Sequence, residues 1–102
     1  VVGALAGTFV GSQVGAHLDA RDRQKMGNTM HSALETSPDN SGSTWRNPNS
    51  GNSGRITPTT TYQTNSGQYC REYQQQVIVG GKLVEGYGTA CRMPDGSWKV
   101  SN

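Results

Sequence analysis

The sequence predicts an α+β protein: an N-terminal glycine-zipper membrane helix and an amphipathic helix, followed by a small antiparallel β-meander of five or six strands with one disulfide. Three observations carry this. Glycine recurs every fourth residue at Gly3, Gly7, Gly11 and Gly15, in an opening run with no charged side chain before Asp19. From Ser43 onward, short stretches rich in Thr, Val, Ile, Tyr and Trp alternate with Gly, Asn, Ser and Pro clusters, the pattern of strands joined by turns. Cys70 and Cys91 occupy matching places in two such stretches joined by Gly80-Gly81. The expected divisions are a membrane helix over 1–17, an amphipathic helix over 18–35, a linker over 36–42 and a stapled β domain over 43–102.

The hairpin from Tyr69 to Arg92 has its register written twice. Gly80-Gly81 is a favoured two-residue turn of type I′ or II′. Counting outward from it, Val79 meets Lys82, Val77 meets Val84, and Cys70 meets Cys91. Hydrogen-bonded and non-hydrogen-bonded pairs alternate, which puts the cysteines at a non-hydrogen-bonded pair. There Cα atoms lie roughly 4.5 Å apart, within the span a disulfide tolerates. Such a bridge contributes roughly 3 kcal/mol in the chain-entropy model. Two free buried thiols that happen to align are the competing reading. Of the two hairpin faces, the one carrying Tyr69, Tyr73, Val77 and Val79 is the more apolar and is expected to face the core.

The run from Val1 to Leu18 would be roughly 27 Å long as a helix, barely the thickness of a bilayer core. On a helix its glycines form one stripe that lets a second backbone approach closely, with Thr8, Ser12 and Gln13 able to bond across. In water each glycine costs about 1 kcal/mol of helix propensity, so packing or lipid has to compensate. A flexible Gly/Ala-rich linker is the alternative; the regular period and the intervening Val, Leu and Phe argue against it. Next, Asp19 is a candidate N-cap and Asp22 a favourable first-turn acid. Met26, Met30, Ala33 and Leu34 fall on one helical face suited to covering a sheet. Arg21, Arg23 and Lys25 suit either lipid headgroups or a solvated face.

Beyond the Thr36–Gly42 linker, STWRN, GRIT and TTTYQT read as short strands, with Pro48 to Ser53 as a hairpin loop. That loop lacks the GxxxxGK[ST] pattern and following helix of a phosphate-binding loop. Asn65-Ser66-Gly67 and Pro94-Asp95-Gly96 make two further turns, the second delivering Ser97 to Ser101 as a last strand.

Composition narrows the function. With 102 residues, 31% of them hydrophobic, a single core is marginal without a staple. A paired cysteine favours an oxidising compartment. The formal net charge of +2 and the lack of any Lys/Arg run argue against a nucleic-acid partner. No CxxC or HExxH pattern is present, and His17 and His31 have no companion ligands in sequence, so no catalytic residue, metal or cofactor is expected. The first residue is Val with no charged n-region, which places any signal peptide or lipid-bearing cysteine upstream.

The strings GQYCREY, GGK, YG, a second Cys-Arg and PDGSWKV, preceded by Trp45-Arg46-Asn47-Pro48, Gly51-Asn52, Thr57-Pro58 and Tyr62, resemble the C-terminal half of the rickettsial seventeen-kilodalton surface antigen family, bacterial outer-membrane lipoproteins. The resemblance implies an outer-membrane location with the β domain in the periplasm or at the cell surface, and a second glycine-zipper helix preceding Val1. It implies no defined activity. The expected role is therefore a non-enzymatic structural subunit. It would contact membrane lipid and associate through the glycine stripe with itself or with a larger membrane complex. The alternative is a tethered periplasmic binding module for peptidoglycan or a protein, for which Trp45, Tyr62 and Trp98 would supply the ligand platform if exposed.

Overall fold

A computed structural model describes residues 17–101. Its helix, α1 (Ala20–Thr36), begins where the sequence puts a cap: Asp19 has extended backbone and accepts from the Asp22 amide, while the Asp22 side chain accepts from the Asp19 amide. Two orphan amides of the first turn are thereby satisfied reciprocally. Met26, Met30, Ala33 and Leu34 are all buried, as their spacing predicts. Pro38 follows shortly after the Ser37 cap and prevents the helix from continuing.

Five strands follow: β1 (Ser43–Arg46), β2 (Ser53–Gln63), β3 (Tyr69–Val79), β4 (Lys82–Arg92) and β5 (Trp98–Ser101). They form one antiparallel meander in sequence order. The β3–β4 register is the expected one, with Val79 opposite Lys82, Val77 opposite Val84 and Cys70 opposite Cys91. Gly80 and Gly81 have φ of 58° and 79°, the two positive values a type I′ turn requires. The cysteines are bonded, with S–S 2.03 Å and Cα–Cα 4.0 Å. GRIT and TTTYQT form one strand rather than two. Pro58 lies beyond the end of β1, where the pairing of β2 with β3 shifts before Thr60, so the strand accommodates it at an irregularity.

The helix covers one face of the sheet, lying over β1 and β2. Its apolar face meets Trp45, Ile56, Tyr73, Val77, Ala90 and Trp98, with Val79, Val84 and Val100 at the margin. Trp45 folds across Gly54 on the neighbouring strand so closely that a Cβ there would collide with the indole. The opposite face carries the disulfide, Gln74, Gln76, Ile78, Leu83 and Tyr87, and among the described residues no helix lies over it.

The expected fold class needs one correction. The sequence reading placed a glycine-zipper membrane helix over residues 1–17 ahead of a second helix. Among the described residues there is one helix, and none is long and apolar enough to cross a membrane. His17 lies in a turn. Leu18, 3% exposed, packs into the β-domain core instead of extending an apolar span. The Asp19 cap sets the helix start, and α1 then carries Arg21, Asp22, Arg23 and Lys25 within its first two turns, too many charges for a bilayer. Residues 1–16, with Gly3, Gly7, Gly11 and Gly15, lie outside the described residues.

Candidate functional site

Three side-chain clusters join the helix to the sheet. At the N-terminal end, the Asp22 carboxylate is completely buried. Its Oδ1 accepts from Asn47 Nδ2 at 2.7 Å and Ser50 Oγ at 2.6 Å, and its Oδ2 from Asn52 Nδ2 at 2.8 Å and the Asp19 amide at 3.0 Å. Asn52 continues the chain of bonds, its Oδ1 accepting from the Gly80 amide at 3.2 Å. The β1–β2 loop, the helix start and the hairpin turn are thus tied through one carboxylate. Burial pushes the Asp22 carboxyl up, but the bonds from Ser50, Asn52, the Asp19 amide and Asn47 outweigh it and hold the group below its ordinary value.

At the C-terminal end, Arg71 reaches from β3 with only 7% of its surface exposed. All five donors of its guanidinium are used. Nη1 donates to the carbonyls of Ala33 (3.1 Å) and Leu34 (2.8 Å), Nη2 to the Ser37 carbonyl (2.6 Å) and Asp39 Oδ1 (2.9 Å), and Nε to Thr61 Oγ1 (2.9 Å). A helix leaves its last carbonyls unpaired, and a cation there also opposes the negative end of the dipole. Arg71 hydrogen bonds hold the Asp39 carboxyl down, and Thr61 adds to this.

Beside it, Glu35 Oε1 accepts from Arg92 Nε at 2.6 Å and Trp98 Nε1 at 2.7 Å. The last turn of α1 is thereby fixed to β4 and β5. The Arg92 hydrogen bond, followed by that of Trp98, lowers the Glu35 carboxyl.

The sequence reading identified Cys70 and Cys91, which the structure bonds, and Asp19 as a cap. It missed the joining roles of Asp22, Arg71 and Glu35. Trp45 and Trp98 are buried, at 5% and 3% exposure, while Tyr62 is 42% exposed. His17 is exposed and His31 half-buried on α1. Among the described residues, no group of three or more His, Cys, Asp or Glu side chains could hold a metal ion.

On the open face, a shallow depression of about 410 Å³ lies over the β1–β2–β3 strands and reaches β4. Arg46 and Arg55 border it on one side, Ile78 and Leu83 on the other. The register accounts for this grouping: Arg46 faces Ser53, Ser53 faces Ile78, and Ile78 faces Leu83, all pointing away from the helix.

Residues 32–99 match the family described as the 17 kDa outer membrane surface antigen. The chain belongs to this family. The 17 kDa surface antigen of Rickettsia bellii (strain RML369-C) is 53% identical over 100 residues, covering 98% of this chain and 63% of the relative. That of Rickettsia japonica (strain ATCC VR-1363 / YH) is 52% identical over 87 residues, covering 85% and 55%. That of Rickettsia prowazekii (strain Madrid E) is 52% identical over 84 residues, covering 82% and 53%. The chain therefore spans less than two thirds of the length of these family members, between 53% and 63%. No solved structure matches it.

Proposed function

We propose that this chain is a non-enzymatic structural component of the bacterial outer envelope, its stapled β domain working in assembly with further copies or with a larger membrane complex. The observation that supports the reading is how the buried ionisable groups are used. Asp22 and Arg71, with Glu35 beside them, spend their hydrogen-bonding capacity fastening α1 to the sheet. A general base or nucleophile needs a free lone pair facing a cleft; both Asp22 oxygens are taken up by donors from the helix cap and the β1–β2 loop, and the Arg71 guanidinium has no basic lone pair. Family membership supports the outer-membrane setting. The test is photo-cross-linking in intact envelopes from positions 62 and 87, both on the open face. A discrete, saturable adduct with a copy of the chain or a defined envelope protein is expected. The absence of any discrete adduct from either position would overturn the reading.

A second reading, a periplasmic module that binds peptidoglycan or a soluble protein, is favoured by Tyr62, Tyr69 and Tyr87, exposed by 42%, 53% and 76%. Burial of Trp45 and Trp98 removes two of its three expected platform rings. Co-sedimentation with purified sacculi, lost in a Tyr87→Ser variant, would favour this second reading over the first.

A further inference from the structure

We propose that the open face of the sheet carries a docking site for an anionic lipid surface, formed by Arg46, Arg55, Ile78 and Leu83. The first observation is charge without a partner. Arg71 is paired with Asp39 and Arg92 with Glu35. Arg46 and Arg55 are exposed on the same face of adjacent strands, diagonal to each other, and neither has a carboxylate or hydrogen-bond partner there. The Arg55 guanidinium lies directly against Gly42, close enough that a Cβ would collide with it, so the group is held near the β1 edge. The nearest acid on this face is Glu85, and both Gln76 Nε2 (2.8 Å) and Gln74 Nε2 (3.3 Å) already donate to its Oε2.

The second observation is what sits beside that charge. Ile78 and Leu83 are 42% and 56% exposed, oppose each other across the hairpin, and lie just before and after the Gly80-Gly81 turn. They suit shallow insertion at the acyl boundary, with two guanidiniums at headgroup depth bonding phosphate oxygens. The ligand chemistry is thus a phosphodiester joined to an apolar chain. This inference stands apart from the structural role proposed above, because it is measured on purified protein and vesicles.

The test compares the full chain with Arg46→Gln/Arg55→Gln and Ile78→Ser/Leu83→Ser by sedimentation with vesicles of phosphatidylcholine alone and of phosphatidylcholine with phosphatidylglycerol at about 2:1. All four positions are exposed, so near-ultraviolet circular dichroism should report an unchanged fold. The wild type should prefer the anionic vesicles, and salt should weaken that preference. Each arginine should contribute roughly fivefold, so the arginine variant should lose about 25-fold on anionic vesicles and almost nothing on neutral ones. The Ile78/Leu83 variant should weaken binding to both. Equal partition of wild type and arginine variant on anionic vesicles would overturn the proposal. So would saturation of the same residues by inorganic phosphate, which would make this a free-anion site. Binding to polyglutamate without vesicle binding would overturn it as well, in favour of an acidic protein partner.

Discussion

The two ends of α1 are fastened by opposite chemistry. At the start, one buried carboxylate collects four neutral donors from the helix cap and the β1–β2 loop. At the finish, one buried guanidinium distributes five donors, three of them to backbone carbonyls. Each sign matches the dipole it meets, anion at the amino end and cation at the carboxyl end. The difference lies in what is left when the hub is removed. Three of the four Asp22 partners are side chains that can turn elsewhere, whereas three of the five Arg71 partners are backbone carbonyls that cannot. A small helix resting on an open sheet with few large apolar residues is held by its ends as much as by its face.

The largest effect should therefore come from Arg71→Ala, which strands the Leu34 and Ser37 carbonyls, leaves Ala33 only its bond from the Ser37 amide, and deletes a buried side chain. Chemical denaturation should show a loss of about 3–5 kcal/mol. Arg71→Lys keeps the charge but not the planar fork, and should recover less than half of it. Full recovery by Lys would show that charge alone matters at this end and would erase the contrast.

Asp22→Ala should cost somewhat less, about 2–4 kcal/mol, because the Asn47 and Asn52 amides and the Ser50 hydroxyl can partly find other partners. Asp22→Asn, which keeps the shape but turns two donors toward the loop amides, should be no better than Ala. A loss at Asp22 larger than at Arg71 would reverse the ranking of the two ends.

How far these hubs were legible in the sequence depends on distance along the chain. The hairpin register, the Asp19 cap, the Met26–Met30–Ala33–Leu34 face and the Pro94-Asp95-Gly96 turn rest on neighbours or on counting from one turn. The hubs do not: Asp22 and Asn47 are 25 residues apart, and Glu35 and Trp98 are 63 apart. Ser50 and Asn52 read correctly as turn formers, while Asn47 reads as the end of the STWRN strand, which the structure ends at Arg46; nothing in either pattern says these side chains face a carboxylate. For Arg71 there was a signal. It occupies the same strand face as Tyr73 and Val77, so a core-facing strand position held a charge that needed several partners. Of the membrane-helix expectation for residues 1–17, only His17 falls among the described residues, and it lies exposed in a turn ahead of the Asp19 cap.

Acid should act on both ends at once. Asp22 and Asp39 are held below a usual value of 3.8, and Glu35 below 4.5. A carboxyl whose value is lowered in the folded state contributes stability that is complete above its unfolded value and lost as pH falls through its folded one. Stability followed by urea denaturation should be flat with respect to these groups near neutrality and fall below about pH 4.5. In Asp22→Asn the remaining acid loss should be smaller. An unchanged acid limb would assign the loss to the carboxyl end of the helix.

The smallest effect should come from Glu35→Gln. Glu35 is 28% exposed and Arg92 43%, so water screens their attraction, and an ion pair of this kind contributes less than about 1 kcal/mol. Gln keeps an oxygen that can still accept from Trp98 Nε1, the bond that reaches β5, so the indole should stay buried. The variant should lower stability slightly, with tryptophan fluorescence unchanged in wavelength. Glu35→Ala removes that acceptor and leaves the indole N–H beside a gap, so its emission should shift to the red as water enters. The pair of variants separates the two bonds that meet on one oxygen. If Gln behaved like Ala, the charge rather than the acceptor would be holding β5 to the helix, and the carboxyl end would depend on two ion pairs instead of one guanidinium.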